Sequence, residues 1–179
     1  MITATHRKYA QALGEVAVES RLETEVLEQL QQFQQLVAEH RELRETLASP
    51  AYPLQVKREI IGKVADALRL HDIVRNFLLL LEERGRLRQL PEIVAAYQRF
   101  LDDRRGIVQV EATLPNALDE QGLKGLEERL KRVLARPVRL HVRVDESLIG
   151  GIVVQIGSTV FDGSVRAALR RVRERLVSS

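Results

Sequence analysis

The chain contains no cysteine and no tryptophan. Without thiols it has no disulfide framework, no thiolate metal site and no cysteine nucleophile, a composition that suits a reducing compartment. Aromatic residues make up only 4% of the chain against 45% hydrophobic, so a core must be aliphatic, which favours helices packed through Leu, Val and Ala. No apolar run approaches the roughly 18 residues that span a bilayer. The N-terminus lacks the apolar core of a signal peptide, and the expectation is a cytosolic location.

Motifs for catalysis are missing as well. His6, His40, His71 and His141 are at least 31 residues apart and show no HExxH or HxH spacing, so no metal site is expected. There is no GxxxxGK[ST] loop, and Gly150-Gly151 precedes a strand where a dinucleotide fingerprint needs a helix start. The adjacent acids Glu82-Glu83 and Asp102-Asp103 point different ways on a helix and read as charged helix ends. Ser158 and Ser164 have no neighbouring His. No cofactor and no catalytic residue is expected.

The net charge of +3 is small, but it is unevenly spread. Residues 1–105 carry sixteen basic and sixteen acidic groups, and residues 106–179 carry twelve and nine. The terminal stretch holds Arg166, Arg170, Arg171, Arg173 and Arg175 against Glu174. A small α+β domain ending in an Arg-rich helix raises an RNA-binding alternative. Against it, the C-terminal part has Phe161 as its single aromatic, no stacking platform and no GxxG loop. A solvated face near the negative end of the helix dipole is the simpler reading of the arginines.

Periodicity divides the chain at Gly106. Before it, apolar residues recur at helical spacing. Thr3 caps a first helix bearing Tyr9, Leu13 and Val16, with Ala10, Ala12 and Ala17 as small residues beside them. A second helix spans about Leu22 to Glu39, and Leu43 and Leu47 mark a short third. Pro53 opens a fourth with Val56, Ile60, Val64 and Leu68. Asp72 is expected to cap a fifth, Ile73 to Arg84, on which Ile73, Val74, Phe77, Leu78, Leu79, Leu80 and Leu81 cover most of the circumference. A helix apolar all round must be covered on more than one side. It is either central to its bundle or turned toward a partner. A sixth helix runs through Leu87, Leu90, Val94, Tyr97 and Leu101. Residues 1–105 therefore read as an all-α six-helix bundle.

After Gly106 the period falls to two. Val108, Val110, Ala112 and Leu114 form one strand, and Val138, Leu140, Val142 and Val144 another. Between them Asp119 caps a helix with Leu123, Leu126, Leu130, Val133 and Leu134 inward. Ile152–Ile156, a Gly157-Ser158 turn and Thr159–Phe161 make a hairpin. Ser164, or else Asp162, caps a last helix with Val165, Ala168, Leu169, Val172 and Leu176 on its buried face. The class is α+β, with a small β-α-β-β-β-α domain over 106–179.

The glycine-rich hairpin is the most distinctive stretch. Gly150, Gly151 and Gly157, followed by Asp162-Gly163-Ser164-Val165-Arg166, closely resemble the C-terminal signature of the δ subunit family of F-type ATP synthase, relatives of the mitochondrial oligomycin-sensitivity-conferring protein. Arg7, Tyr9, Ala10, Ala12 and Leu13 look like that family's first helix. Asn76-Phe77-Leu78, Gly85-Arg86-Leu87 and Pro91 look like its fifth and sixth, and His6 stands where relatives commonly carry a small residue. The resemblance implies a non-catalytic stator subunit, one copy per complex. Its helical domain would hold N-terminal segments of the α subunits of the catalytic head, in a groove to which Tyr9, Ala10, Leu13, Ala17, Phe77, Leu78 and Leu81 contribute. Its C-terminal domain would meet the b-type subunits of the peripheral stalk. It also implies no nucleic acid partner, and attachment to the cytoplasmic face of the bacterial membrane only through the complex.

Overall fold

The computed structural model describes residues 2–170. It is a mixed α and β chain in two compact units, the first running to Leu101 and the second beginning at Asp102. The division falls inside the sixth helix, a turn before the change of period at Gly106, because Asp102 on that last turn bonds to the sheet that follows.

In the first unit, α1 (Ala4–Ser20), α2 (Glu23–Glu39), α3 (Arg41–Ala48), α4 (Leu54–Ala67) and α5 (Asp72–Glu83) are followed by a one-turn 3-10 helix (Leu87–Gln89) and α6 (Leu90–Arg104). Their starts show how local chemistry sets the boundaries. At α1 the Thr3 hydroxyl accepts from the His6 N–H, and the His6 imidazole Nδ1 accepts from the Thr3 N–H at 3.2 Å. This reciprocal box leaves His6 Nε2 as the donor to Gln89 Oε1, 3.2 Å away. The fifth helix is capped by His71, whose Nδ1 accepts from the Ile73 N–H at 3.2 Å. Asp72, expected as the cap, is its first helical residue. There its charge favours the positive helix end without a hydrogen bond.

The core joins Leu13 and Ala17 of α1, Leu30 and Phe33 of α2, Ile61 of α4, Val74, Leu78 and Leu81 of α5, and Ile93 and Tyr97 of α6. Gly14 is the tightest approach. A β-carbon there would overlap the Phe100 ring, with Cδ1 only 2.6 Å away. Tyr97 is fully buried, and its hydroxyl donates to the Glu23 carbonyl at 3.1 Å. Lys57 and Glu82 are also buried, and they satisfy each other across α4 and α5 at 3.2 Å.

In the second unit, β1 (Val108–Leu114), α7 (Glu120–Leu134), β2 (Val138–Val144), β3 (Val153–Ile156) and β4 (Thr159–Asp162) build one sheet in the order β2-β1-β3-β4. A two-residue turn at Gly157 and Ser158 joins β3 to β4, Gly157 holding φ at +59°. Parallel pairing of β1 with β2 requires the crossover that α7 provides. The other two pairings are antiparallel. Helix resumes over 165–170, where the described residues end.

Burial in this unit is thinner than the sequence pattern suggests. Leu123, Leu126, Leu130 and Leu134 of α7 are half-buried, but Val133 is 82% exposed. After β4 it is Ala167 that is buried, while Val165, Ala168 and Leu169 are exposed. Helical phase, set by the Ser164 cap accepting from the Ala167 N–H at 3.1 Å, turns Ala167 inward. Val172 and Leu176, like Arg171, Arg173 and Arg175, lie outside the described residues.

Candidate functional site

Two apolar hollows open on the first unit. The smaller, about 410 Å³, lies between α2, α3 and the 3-10 turn and is floored by Phe33, Leu47 and Leu87. The larger, about 720 Å³, is a groove between α1 and α5. One wall carries Thr5, Lys8, Tyr9, Ala12, Leu13 and Val16, which share a face because they recur every three or four residues. The other wall carries Ile73, Asn76, Phe77 and Leu80 of α5 by the same rule. Asp72 stands at one end, and Arg86 reaches in at the other.

Tyr9 organises the floor. Its ring meets that of Phe77 edge to face, centroids 6.4 Å apart. The Arg86 guanidinium sits 5.7 Å from the Tyr9 centroid, close enough for a cation–π attraction. Val16 and Leu80 leave 47% and 39% of their surfaces exposed at the rim. A groove with an apolar floor and wet, charged ends has the form that receives an amphipathic helix.

Of the seven residues expected here, Tyr9, Leu13 and Phe77 line the groove. Ala10, Ala17, Leu78 and Leu81 are buried in the core instead, at 1% exposure or less. They form the layer beneath it. The lining residues not anticipated are Thr5, Lys8, Ala12 and Val16 on α1, Asp72, Ile73, Asn76 and Leu80 on α5, and Arg86 beyond it. On α5, apolar residues surround the axis and hide the phase. The polar residues it presents there, Asp72 and Asn76, were the available clue.

The glycine-rich signature is a structural knot. Gly151 sits at φ +88°, and a β-carbon there would overlap the Gly163 carbonyl oxygen and lie 2.9 Å from Ser164 Cα. The Gly163 N–H donates to the Ile152 carbonyl and the Val165 N–H to the Gly150 carbonyl, both at 3.0 Å. Asp162 accepts from the Ser164 N–H at 3.0 Å, and Arg166 donates to the Ser147 carbonyl at 3.3 Å.

At the start of the second unit, Asp102 is fully buried. It accepts from Arg139 Nε at 2.7 Å and Nη2 at 2.8 Å, and from Gln109 at 3.0 Å. Gln109 and Arg139 are partners in the parallel register, so two adjacent strands present their donors to one carboxylate. The bond to Asp102 raises the Arg139 pKa above its ordinary value. Among the described residues no cluster of three or more His, Asp or Glu is placed to hold a metal ion. No described helix is long and apolar enough to cross a membrane.

Residues 5–176 match the family described as the ATP synthase delta (OSCP) subunit. The chain belongs to that family. The δ subunit of ATP synthase from Geotalea uraniireducens is 36% identical over 173 residues, covering 97% of this chain and 96% of its own. That of Chloroherpeton thalassium is 32% identical over 177 residues, covering 99% and 96%. Among solved structures, a chain of the Toxoplasma gondii mitochondrial ATP synthase hexamer shares the fold over 98% of both chains, with a TM-score of 0.68 at 22% identity. A chain of the Polytomella F-ATP synthase aligns with 56% of this chain and 89% of its own, with a TM-score of 0.52 at 27% identity. Membership makes the chain a component of the peripheral stalk of F-type ATP synthase, a structural subunit of the enzyme. It does not favour the RNA-binding alternative.

Proposed function

We propose that this chain is the non-catalytic linker that ties the catalytic head of F-type ATP synthase to the b-type subunits of its peripheral stalk. The N-terminal six-helix bundle takes an amphipathic N-terminal helix of a head α subunit into the α1/α5 groove. The small C-terminal domain meets the stalk. One copy serves each complex, on the cytoplasmic face of the bacterial membrane and attached to that membrane only through the complex. The chain has no active site of its own.

The observation that carries this reading is the groove itself. Its rim of Val16 and Leu80 and its half-buried Tyr9 lie open between α1 and α5, above the buried Leu13 and Phe77. Covering such a surface gains roughly 25 cal/mol for each Å² of apolar area removed from water. On the second unit Ile149, Val160, Phe161 and Leu169 are each more than half exposed, which supports a second docking face there. A joint of this kind keeps the head from turning with the rotor.

The test uses the tryptophan-free composition. A peptide from the α-subunit N-terminus carrying one Trp is titrated with the full chain, and fluorescence and helicity are followed together. Saturable binding with a gain of helix is expected. Absence of both at concentrations up to about 100 μM, weaker than about −5.5 kcal/mol, overturns the reading.

A further inference from the structure

We propose that the α1/α5 groove is electrically polar along its length and takes its helix in one direction: acidic first turn against Lys8 and Arg86, basic last turn against Asp72. This rests on the helix-in-groove reading above and adds to it the partner's charge order and its direction.

The charged residues lining the groove are Lys8, Arg86 and Asp72. Two contacts show how they are ordered. Arg86 lies over Tyr9, and His6 bonds to Gln89 at 3.2 Å, so the start of α1 lies beside the segment that follows α5. The two helices are therefore antiparallel, with Lys8 and Arg86 at one end of the groove and Asp72 at the other. From Lys8 to Val16, near the Asp72 end, α1 advances about 12 Å, roughly two turns of an occupant helix.

These charges are available to a partner. Lys8 and Asp72 are exposed and make no ion pair with another described residue. Arg86 touches the Tyr9 ring and Gln89 Oε1 at 3.5 Å, and neither neutralises it. Because α1 and α5 run antiparallel, one N-terminus and one C-terminus lie at each end of the groove, and their half-charges offset.

Direction follows from magnitudes. A helix terminus carries about half a charge, whereas Lys8 and Arg86 present two full ones. Side-chain charge therefore decides which end of an occupant sits where. A helix is itself most stable with acids in its first turn and bases in its last. Both conditions are met together when the occupant runs from the Arg86 end to the Asp72 end, parallel to α1 and antiparallel to α5. A helix of the opposite charge order must either reverse direction or meet like charges at both ends.

The chain's lack of cysteine makes direction measurable. Thr5→Cys and Val16→Cys place a single thiol at either end of the groove in the full chain. The probe is a synthetic amphipathic peptide of about 14 residues, some 21 Å as a helix, with Glu in its first turn, Lys in its last and one Cys beside the acidic turn. In a thiol–disulfide buffer it is expected to cross-link several-fold more to Thr5→Cys than to Val16→Cys. Moving the peptide's Cys to the basic end is expected to invert that preference. In the cysteine-free chain, Lys8→Glu is expected to weaken the same peptide about three- to tenfold at low salt, and less at high salt. Binding with equal cross-linking at both ends, or with the reverse preference, overturns the polarity and leaves the helix-in-groove reading standing. If peptides of neither charge order bind, both readings fall.

Discussion

Tyr9 and Phe77 cross the floor of the groove edge to face, with ring planes 68° apart. The two rings differ in duty. Phe77 is 7% exposed and belongs to the core, while Tyr9 is half-buried and open to the groove. Floor and foundation therefore need to be separated by mutation.

Leu80→Glu changes a rim residue that is 39% exposed. It is expected to leave thermal stability within about 0.5 kcal/mol while abolishing binding of the α-subunit peptide. Phe77→Ala is expected to cost about 3 to 5 kcal/mol. Circular dichroism melts beside peptide titrations read the two effects. Loss of binding with full stability in the Phe77 variant would contradict this division.

Asp102→Ala leaves Arg139 without its carboxylate and opens a cavity at a fully buried site. Arg139 is 37% exposed and can turn to water, so the loss is expected to be about 1 to 3 kcal/mol. Replacing both partners by apolar residues, Asp102→Leu with Arg139→Met, is expected to recover most of that loss. Hydrogen exchange at the β1 and β2 amides reports on this unit directly.

Gly14→Ala drives a methyl into the Phe100 ring and is expected to cost about 1 to 3 kcal/mol. Adding Phe100→Leu is expected to return part of it. Urea unfolding of the single and double variants gives the coupling.

Asp145 is held below the usual carboxylate range, first by the Ser147 hydroxyl, then by the Ser147 N–H at 2.9 Å, with Arg166 nearby. Its folded pKa is depressed, so the stabilisation it gives is present above the unfolded value of about 3.9 and is lost as pH falls through the folded one. Carboxyl NMR titration is expected to show a midpoint below that value. Ser147→Ala is expected to move the midpoint upward.

Much of the element order was legible because capping and periodicity are local. Thr3, Asp119 and Ser164 cap as their side chains and positions suggest, and the hairpin turns at Gly157. What stayed hidden depended on distant partners. Asp102 reads as a wet helix end, and nothing near it in sequence announces Arg139, 37 positions on. On α5, no periodic argument separates Leu78 and Leu81, both fully buried, from exposed Leu80. His71 takes the cap position in place of Asp72 because the helix starts one residue earlier than expected, and its Nδ1 accepts from the Ile73 N–H. Gly14 gave no sign of the Phe100 ring lodged against it.

The parallel pairing of β1 with β2 has a consequence in time. The groove is lined by residues 5 to 86 alone, whereas β1 cannot complete its ladder until Val144 has been made. Local helical contacts form quickly and distant strand pairings slowly, and domains fold in the order they leave the ribosome. The unit carrying the groove is thus expected to fold before the sheet is complete. On the proposed function, a partner helix is expected to reach the groove before the second unit has folded.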